Sequence, residues 1–324
     1  MNIEAFSAYM RQRNCAEEEI AHSVSLIERF EAFSLDHLEL SLRERTRAFV
    51  DLLVSERADS YDHLLALSRY GRFTGSSELF VEILSLLDGR EVMENLHQKL
   101  VRSVPKSICD YVFAGVEMPS LGMDSHGKAK VMKIVMDRLS EALGEEAVAQ
   151  FLSSSLRDLP HQCYLKRKRR YAELNDLQTY LDEDGREFVR ELERIRDCHG
   201  LFFNQVITDE VVEYVRSQPE IASGVLLGDT LYITKIPYMA KEYLATDDPL
   251  MKRYYSCHCP WARESILTGE TVSPSFCHCS AGFVKKQWEV IFGQSLKADV
   301  LESALKGDLR CRFAIHLPDG GPKQ

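Results

Sequence analysis

Apolar residues recur at spacings of three and four through the first two thirds of the chain, and that rhythm stops at His199-Gly200. A chain so patterned folds as helices first and as mixed helix and strand afterwards. Ile20, Val24 and Ile27 fall on one helical face, Leu79, Ile83 and Leu86 repeat the arrangement, and Gly89 is placed to end that second helix. Short polar stretches, Ser34 to Asp36 and Ser55 to Ser60, read as turns. Residues 1–105 are therefore expected to form an antiparallel helical bundle. Pro105 and the glycine-bearing passage from Gly115 to Gly127 mark a boundary. Residues 106–200 regain helical character over Lys128 to Leu143, Glu145 to Leu152, Tyr164 to Leu181 and Glu187 to Cys198, as a connector or as the first layer of the C-terminal domain.

Beyond Gly200, Thr, Ile, Val and Tyr gather in short runs. Thr208 can cap a helix through Val211, Val212 and Val215. Gly224 to Leu227 and Thr230 to Thr234 flank Gly228-Asp229, a hairpin signal. A short helix is expected over Met239 to Leu244, and an extended segment over Tyr254 to Cys259. Ser280 can cap a helix from Ala281 to Phe292 that Gly293 ends, and a last hairpin turns at Lys306-Gly307-Asp308. The fold class is α+β: a helical bundle, then an antiparallel-sheet domain over residues 201–324. A chain of 324 residues exceeds one core of average size, which agrees with more than one domain.

The formal net charge of -10 argues against general affinity for nucleic acid or anionic membrane. The one run of cations, Lys166 to Arg170, reads as the solvated face of a helix. No segment reaches the ~18 consecutive apolar residues of a membrane span. The start, Met1-Asn2-Ile3-Glu4-Ala5-Phe6, lacks the layout of a signal peptide, so a reducing cytoplasm is the expected compartment. There, nine cysteines read as core residues, metal ligands or reactive thiols rather than disulfides.

Four of them form two Cys-His-Cys tripeptides, Cys257-His258-Cys259 and Cys277-His278-Cys279, separated by 17 residues. Extended backbone places side chains i and i+2 on one face, so two such segments side by side would converge four sulfurs. Four thiolates at about 2.3 Å from a common centre hold Zn²⁺, and an iron-sulfur cluster uses the same ligand set. Cys277 and Cys279 precede the helix start expected at Ser280, where the dipole lowers a thiol's pKa, and Lys285 and Lys286 would add to that field. The same residues therefore suit nucleophilic catalysis by Cys277 or Cys279, with His258 or His278 as base. A third reading is that the cysteines pack a strand pair as small hydrophobes.

Around the first tripeptide, Tyr254, Tyr255 and Trp261 could line a ligand pocket or fill the core, and Arg253 and Arg263 could grip a carboxylate or stand at the surface. Cys311 alternates with Phe313 and Ile315 in the last strand, which reads as core. Lys235 ends a strand and could face a ligand. Cys15, Cys109, Cys163 and Cys198 are isolated and read as packing residues.

The stretch from Cys257 to Leu317 resembles the 4-vinyl reductase domain and the L-2-amino-thiazoline-4-carboxylate hydrolase-like proteins. The likeness lies in Cys277-His278-Cys279-Ser280-Ala281-Gly282-Phe283, in Gly293 and in Gly307-Asp308-Leu309-Arg310-Cys311-Arg312-Phe313-Ala314-Ile315. It implies a small-molecule ligand held between helices and an antiparallel sheet, with Cys277 or Cys279 and Cys311 as counterparts. The N-terminal helices resemble the core-binding domain of tyrosine recombinases through Phe6 to Tyr9 and Leu67-Ser68-Arg69-Tyr70. No His-x-x-Arg accompanies them, so recombination is not implied. The expectation is a cytoplasmic small-molecule-binding protein, such as a sensor, carrying Zn²⁺ or an iron-sulfur cluster. The alternatives are a cysteine hydrolase of a small cyclic amide or thiazoline, or a helical scaffold, with self-association left open.

Overall fold

Capping residues set the helices at the start of the chain, of which the computed structural model describes residues 2–269 and 271–318. Helix α1 (Ile3–Arg11) begins behind Asn2, whose side chain accepts the Ala5 N–H at 3.0 Å. Helix α2 is Glu17–Asp36, and α3 (Leu42–Ser55) opens on a reciprocal capping box of Ser41 and Glu44. Helix α4 (Tyr61–Thr74) ends at Gly75 with φ 70, and α5 is Ser77–Leu87. The turn expected at Ser34 to Asp36 is instead the last turn of α2. Phe30 and Phe33 pack on Phe49, with centroids 5.3 and 5.5 Å apart, and carry the helix past those polar residues. Phe6, Ile27, Phe49, Leu53, Leu64 and Ile83 are fully buried, each contributing about 1.5–3 kcal/mol over exposure. The N-terminal part is thus a helical bundle with its own core.

Contacts divide the chain into two units. One takes residues up to Arg90 together with Met118–Gly127, and the other takes Glu91–Glu117 together with the chain from Lys128 onward. The second unit begins with α6 (Val92–Ser103) and α7 (Lys106–Val112), and the greater part of α8 (Ser125–Leu143) belongs to it. Then come α9 (Glu145–Leu152), α10 (Gln162–Leu174) and α11 (Leu177–Asp197). The apolar rhythm alone predicts one helix from Tyr164 to Leu181. The chain breaks there because Asn175 adopts φ 50 as a C-cap and Asp176 caps α11 through the Thr179 N–H. The basic run lies on α10, where Arg170 pairs with Glu183 at 3.0 Å and Glu187 at 3.1 Å, a partly paired solvent face.

A two-strand ribbon, β1 (Leu201–Phe202) and β2 (Gln205–Val206), leads to α12 (Asp209–Arg216), capped by Thr208 as expected, and to α13 (Pro219–Ala222). Strands β3 (Val225–Leu227) and β4 (Thr230–Thr234) form the hairpin expected at Gly228-Asp229. Helices α14 (Ala240–Ala245), α15 (Pro249–Ser256), α16 (Ser265–Thr268) and α17 (Cys277–Phe292) precede β5 (Lys297–Glu302) and β6 (Arg312–His316). The sheet order is β3-β4-β6-β5, antiparallel throughout, with Leu231 opposite Ile315 and Val300 opposite Phe313. Trp288 and Phe292 of α17 pack on Tyr180 at 5.9 Å and Tyr171 at 5.8 Å, sharing a core with Phe313 and Ile315. This part is α+β. Among the described residues no helix is long and apolar enough to cross a membrane.

Candidate functional site

The two tripeptides do not form a strand pair. Asp248 caps α15 and Pro249 opens it, so Tyr254 to Ser256, expected extended, are helical. Only at Cys257, the C-cap with φ -80 and ψ 115, does the chain extend. The second tripeptide is helical from its first residue. Ser273 caps a short 3-10 turn over Pro274–Phe276, which runs straight into α17 at Cys277, and Ser280 is no cap. At 3.6 residues per turn, helical residues two apart point in nearly opposite directions. Cys277 and Cys279 accordingly diverge.

The Ser303 hydroxyl and the Leu305 N–H favour the thiolate of Cys277. The Cys279 sulfur accepts the Leu156 N–H at 3.2 Å, with Ser155 Oγ 3.9 Å away. Backbone N–H groups of Cys259, Trp261 and Ala304 favour the thiolates of Cys257, Cys259 and Cys311 in turn. Five sulfurs thus each face a main-chain donor, although a neutral thiol is only a weak acceptor.

Burial opposes ionisation and wins. It pushes the Cys257 thiol, together with Cys311, up to about 11. It holds Cys259 well above its ordinary value, with Cys257 and then Cys279 adding to the effect, and it raises Cys277 likewise, with Cys311 and Cys257 as neighbours. Cys279 and Cys311 are raised too. The lowered pKa expected from the helix start is therefore corrected: desolvation outweighs the dipole. Lys285, expected to help, lies instead in the middle of α17, its ammonium donating to the Leu296 carbonyl at 2.6 Å and pairing with Glu289 at 3.0 Å. Cys259 and Cys277 retain some accessible surface even though burial dominates their protonation. Both pack against the core cluster of this unit.

Lys235 lies beside these cysteines. Its N–H donates to the Cys311 carbonyl at 2.9 Å, extending the β4–β6 pairing by one step, and its ammonium donates to Ser280 Oγ at 3.2 Å over the Phe283 ring. Burial lowers its pKa, and the groups that oppose this are Cys311, Cys257 and Cys259. His258 donates from Nε2 to the Ile236 carbonyl at 2.6 Å and lies edge-on to Tyr238 at 5.3 Å. Burial, then Lys235, drives it well below its ordinary value, so the ring is neutral. Among the described residues neither His258 nor His278 hydrogen-bonds a cysteine.

The other candidates separate by position. Arg253 grips the Ala304 carbonyl through two N–H groups at 3.1 Å and pins the turn beside Cys277. Arg263 is not at the surface: it is 7% exposed, stacked on Tyr238 at 4.4 Å and Tyr254 at 5.5 Å, and its Nε–H donates no hydrogen bond but lies 3.8 Å from the Glu264 carboxylate. Tyr254 donates to Glu264 at 2.7 Å, Tyr255 packs against Tyr254, and Trp261 is fully buried in the core. Of the isolated cysteines, Cys163 and Cys198 are exposed rather than packed. Sequence reasoning undervalues Cys311 and Lys235. The signal that joins them is the β4–β6 register, which places residue 235 across from residue 311.

Among the described residues, no three His, Cys, Asp or Glu side chains already surround one point as metal ligands do. No protein-family model, curated protein or solved structure matches the chain.

Proposed function

We propose that the C-terminal α+β domain is a small-molecule-binding module built around a thiolate centre that takes up Zn²⁺ or an iron-sulfur cluster. One observation carries this reading: the half-buried Lys235 ammonium donates to Ser280 and has no carboxylate partner among the described residues, and the groups that favour its charge are three cysteines. A cation in that position is costly unless negative charge accompanies it. Cysteines serving only as packing would be neutral and would leave the ammonium uncompensated. Four thiolates around Zn²⁺ or a cluster carry excess negative charge, which Lys235 offsets, and main-chain N–H groups facing the sulfurs suit the same state.

The set that fits is Cys257, Cys259, Cys277 and Cys311. Within it, every pair except Cys259–Cys311 raises one partner's pKa. Cys279 neighbours Cys259 but none of the other three, and it is held by the Leu156 N–H at 3.2 Å, so it is left outside the set. Ligation calls for side-chain rotation within this set, and metal binding would displace the protons that burial now holds on the sulfurs.

Elemental analysis and a visible spectrum of protein purified without air test the reading. About one centre per chain is expected, lost in Cys257→Ser and Cys311→Ser and kept in Cys279→Ser. A folded, metal-free wild-type protein would overturn it. The cysteine-hydrolase alternative predicts instead that Cys277 or Cys279 reacts with iodoacetamide much faster than the other thiols near neutral pH.

A further inference from the structure

A second place for a ligand lies on the far side of the Ser155–Leu156 segment that holds Cys279. A cavity of about 300 Å³ opens between one face of α6 and the residues following α9. Its size is at the lower end of small-molecule sites. Asn95, Lys99 and Arg102, at helical spacings of four and three, face Ser155, Arg157 and Asp158. Arg157 pairs with Glu91 at 2.9 Å, so that charge is balanced locally, while Asn95 donates to Asp158 at 2.8 Å and turns that residue's carboxylate oxygen toward α6. Two cations are not balanced by a carboxylate. Arg102 makes no hydrogen bond or ion pair among the described residues. Lys99 donates to the Phe151 carbonyl and the Ser154 hydroxyl, which leaves one of its three N–H groups for a further acceptor.

We infer that this cavity binds a small molecule through an oxyanion, a phosphate or carboxylate group received by Arg102 and Lys99. The planar guanidinium fork matches two oxygens of such a group, and the ammonium supplies a point charge beside it. Burial disfavours the charged form of Lys99, so an anion placed there gains a partner whose charge it restores. None of the lining residues is a cysteine, so the fate of the thiolate centre does not decide this site.

Calorimetric titration of the full chain at low ionic strength, with inorganic phosphate and separately with acetate, tests the inference. One saturable site per chain is expected, weakened about ten- to hundred-fold by Arg102→Gln and by Lys99→Gln, since a hydrogen bond to a charged group is worth ~1.5–3 kcal/mol. Binding of phosphate alone would identify a phosphate-bearing ligand, and binding of acetate as well a carboxylate. Absence of saturable binding by either anion overturns the inference. So does binding that Arg102→Gln, an exposed substitution that spares the fold, leaves unchanged.

Discussion

At Lys235 two opposing costs meet in one side chain. The ammonium is destabilising while the surrounding thiols are protonated and stabilising once they are thiolates, so its removal should act with opposite signs on the two states. Lys235→Met keeps the apolar stem and deletes the charge. The metal-free protein should become slightly more stable toward urea, whereas the metal or cluster should be lost to a chelator at roughly ten-fold lower concentration, within the range seen for groups that support ligands. Chelator competition and urea unfolding on the same variant measure both. A fall in apo stability with unchanged metal retention would assign Lys235 a purely structural role. The sequence made Cys311 legible as a strand residue facing apolar neighbours, and that placement is right: it is 9% exposed. It could not make legible which charge stands opposite, because the partner is set by pairing between strands about 80 residues apart along the chain.

Helix α17 shows how one start signal changes the chemistry of a motif. The sequence predicts the start at Ser280, whereas the structure opens at Ser273-Pro274, where proline presets the first helical φ. Taking the earlier start places both cysteines inside the helix and turns their sulfurs apart, which is why the expected quartet is not one converging group. The end was plain, since Gly293 closes the helix with φ 68. Gly282 fixes where that helix lies against its neighbour. A Cβ there would sit 2.4 Å from the Ser155 nitrogen and 2.5 Å from the Ser153 carbonyl oxygen, both main-chain atoms with little room to move. Gly282→Ala should therefore cost about 1–3 kcal/mol in urea unfolding and withdraw the Leu156 N–H from Cys279. Slower iodoacetamide labelling of Cys279 than in the wild type, its thiolate having lost a donor that favours it, would report that withdrawal. Unchanged stability and labelling would mean that the segment after α9 yields freely.

On the scale of the whole chain, the break in texture near residue 200 and the two architectures on either side were legible. The return of Met118–Gly127 to the first unit was not, because it depends on contacts distant in sequence, such as the Gly122 N–H donating to Asp59 at 3.1 Å. Both tryptophans, Trp261 and Trp288, are buried in the second unit, so tryptophan fluorescence reports that unit alone. In it, Arg312 holds Glu220 below its ordinary carboxyl value through contacts at 2.6 and 2.8 Å, assisted by the Thr234 hydroxyl, and Arg310 does the same for Glu302. A folded-state pKa below the unfolded one adds stability that is complete above the unfolded value of 4.5 and is lost as pH falls through the lower folded value. The urea midpoint followed by tryptophan should accordingly drop between pH 7 and pH about 3. Glu220→Gln should lower the pH 7 stability by about 1.5–3 kcal/mol and make the acid-induced drop smaller, because the variant has already lost the charge that acid would neutralise. A midpoint in Glu220→Gln that falls with acid as steeply as in the wild type would show that the Glu220–Arg312 pair, which ties α13 to the strand following Cys311, does not contribute to the acid response.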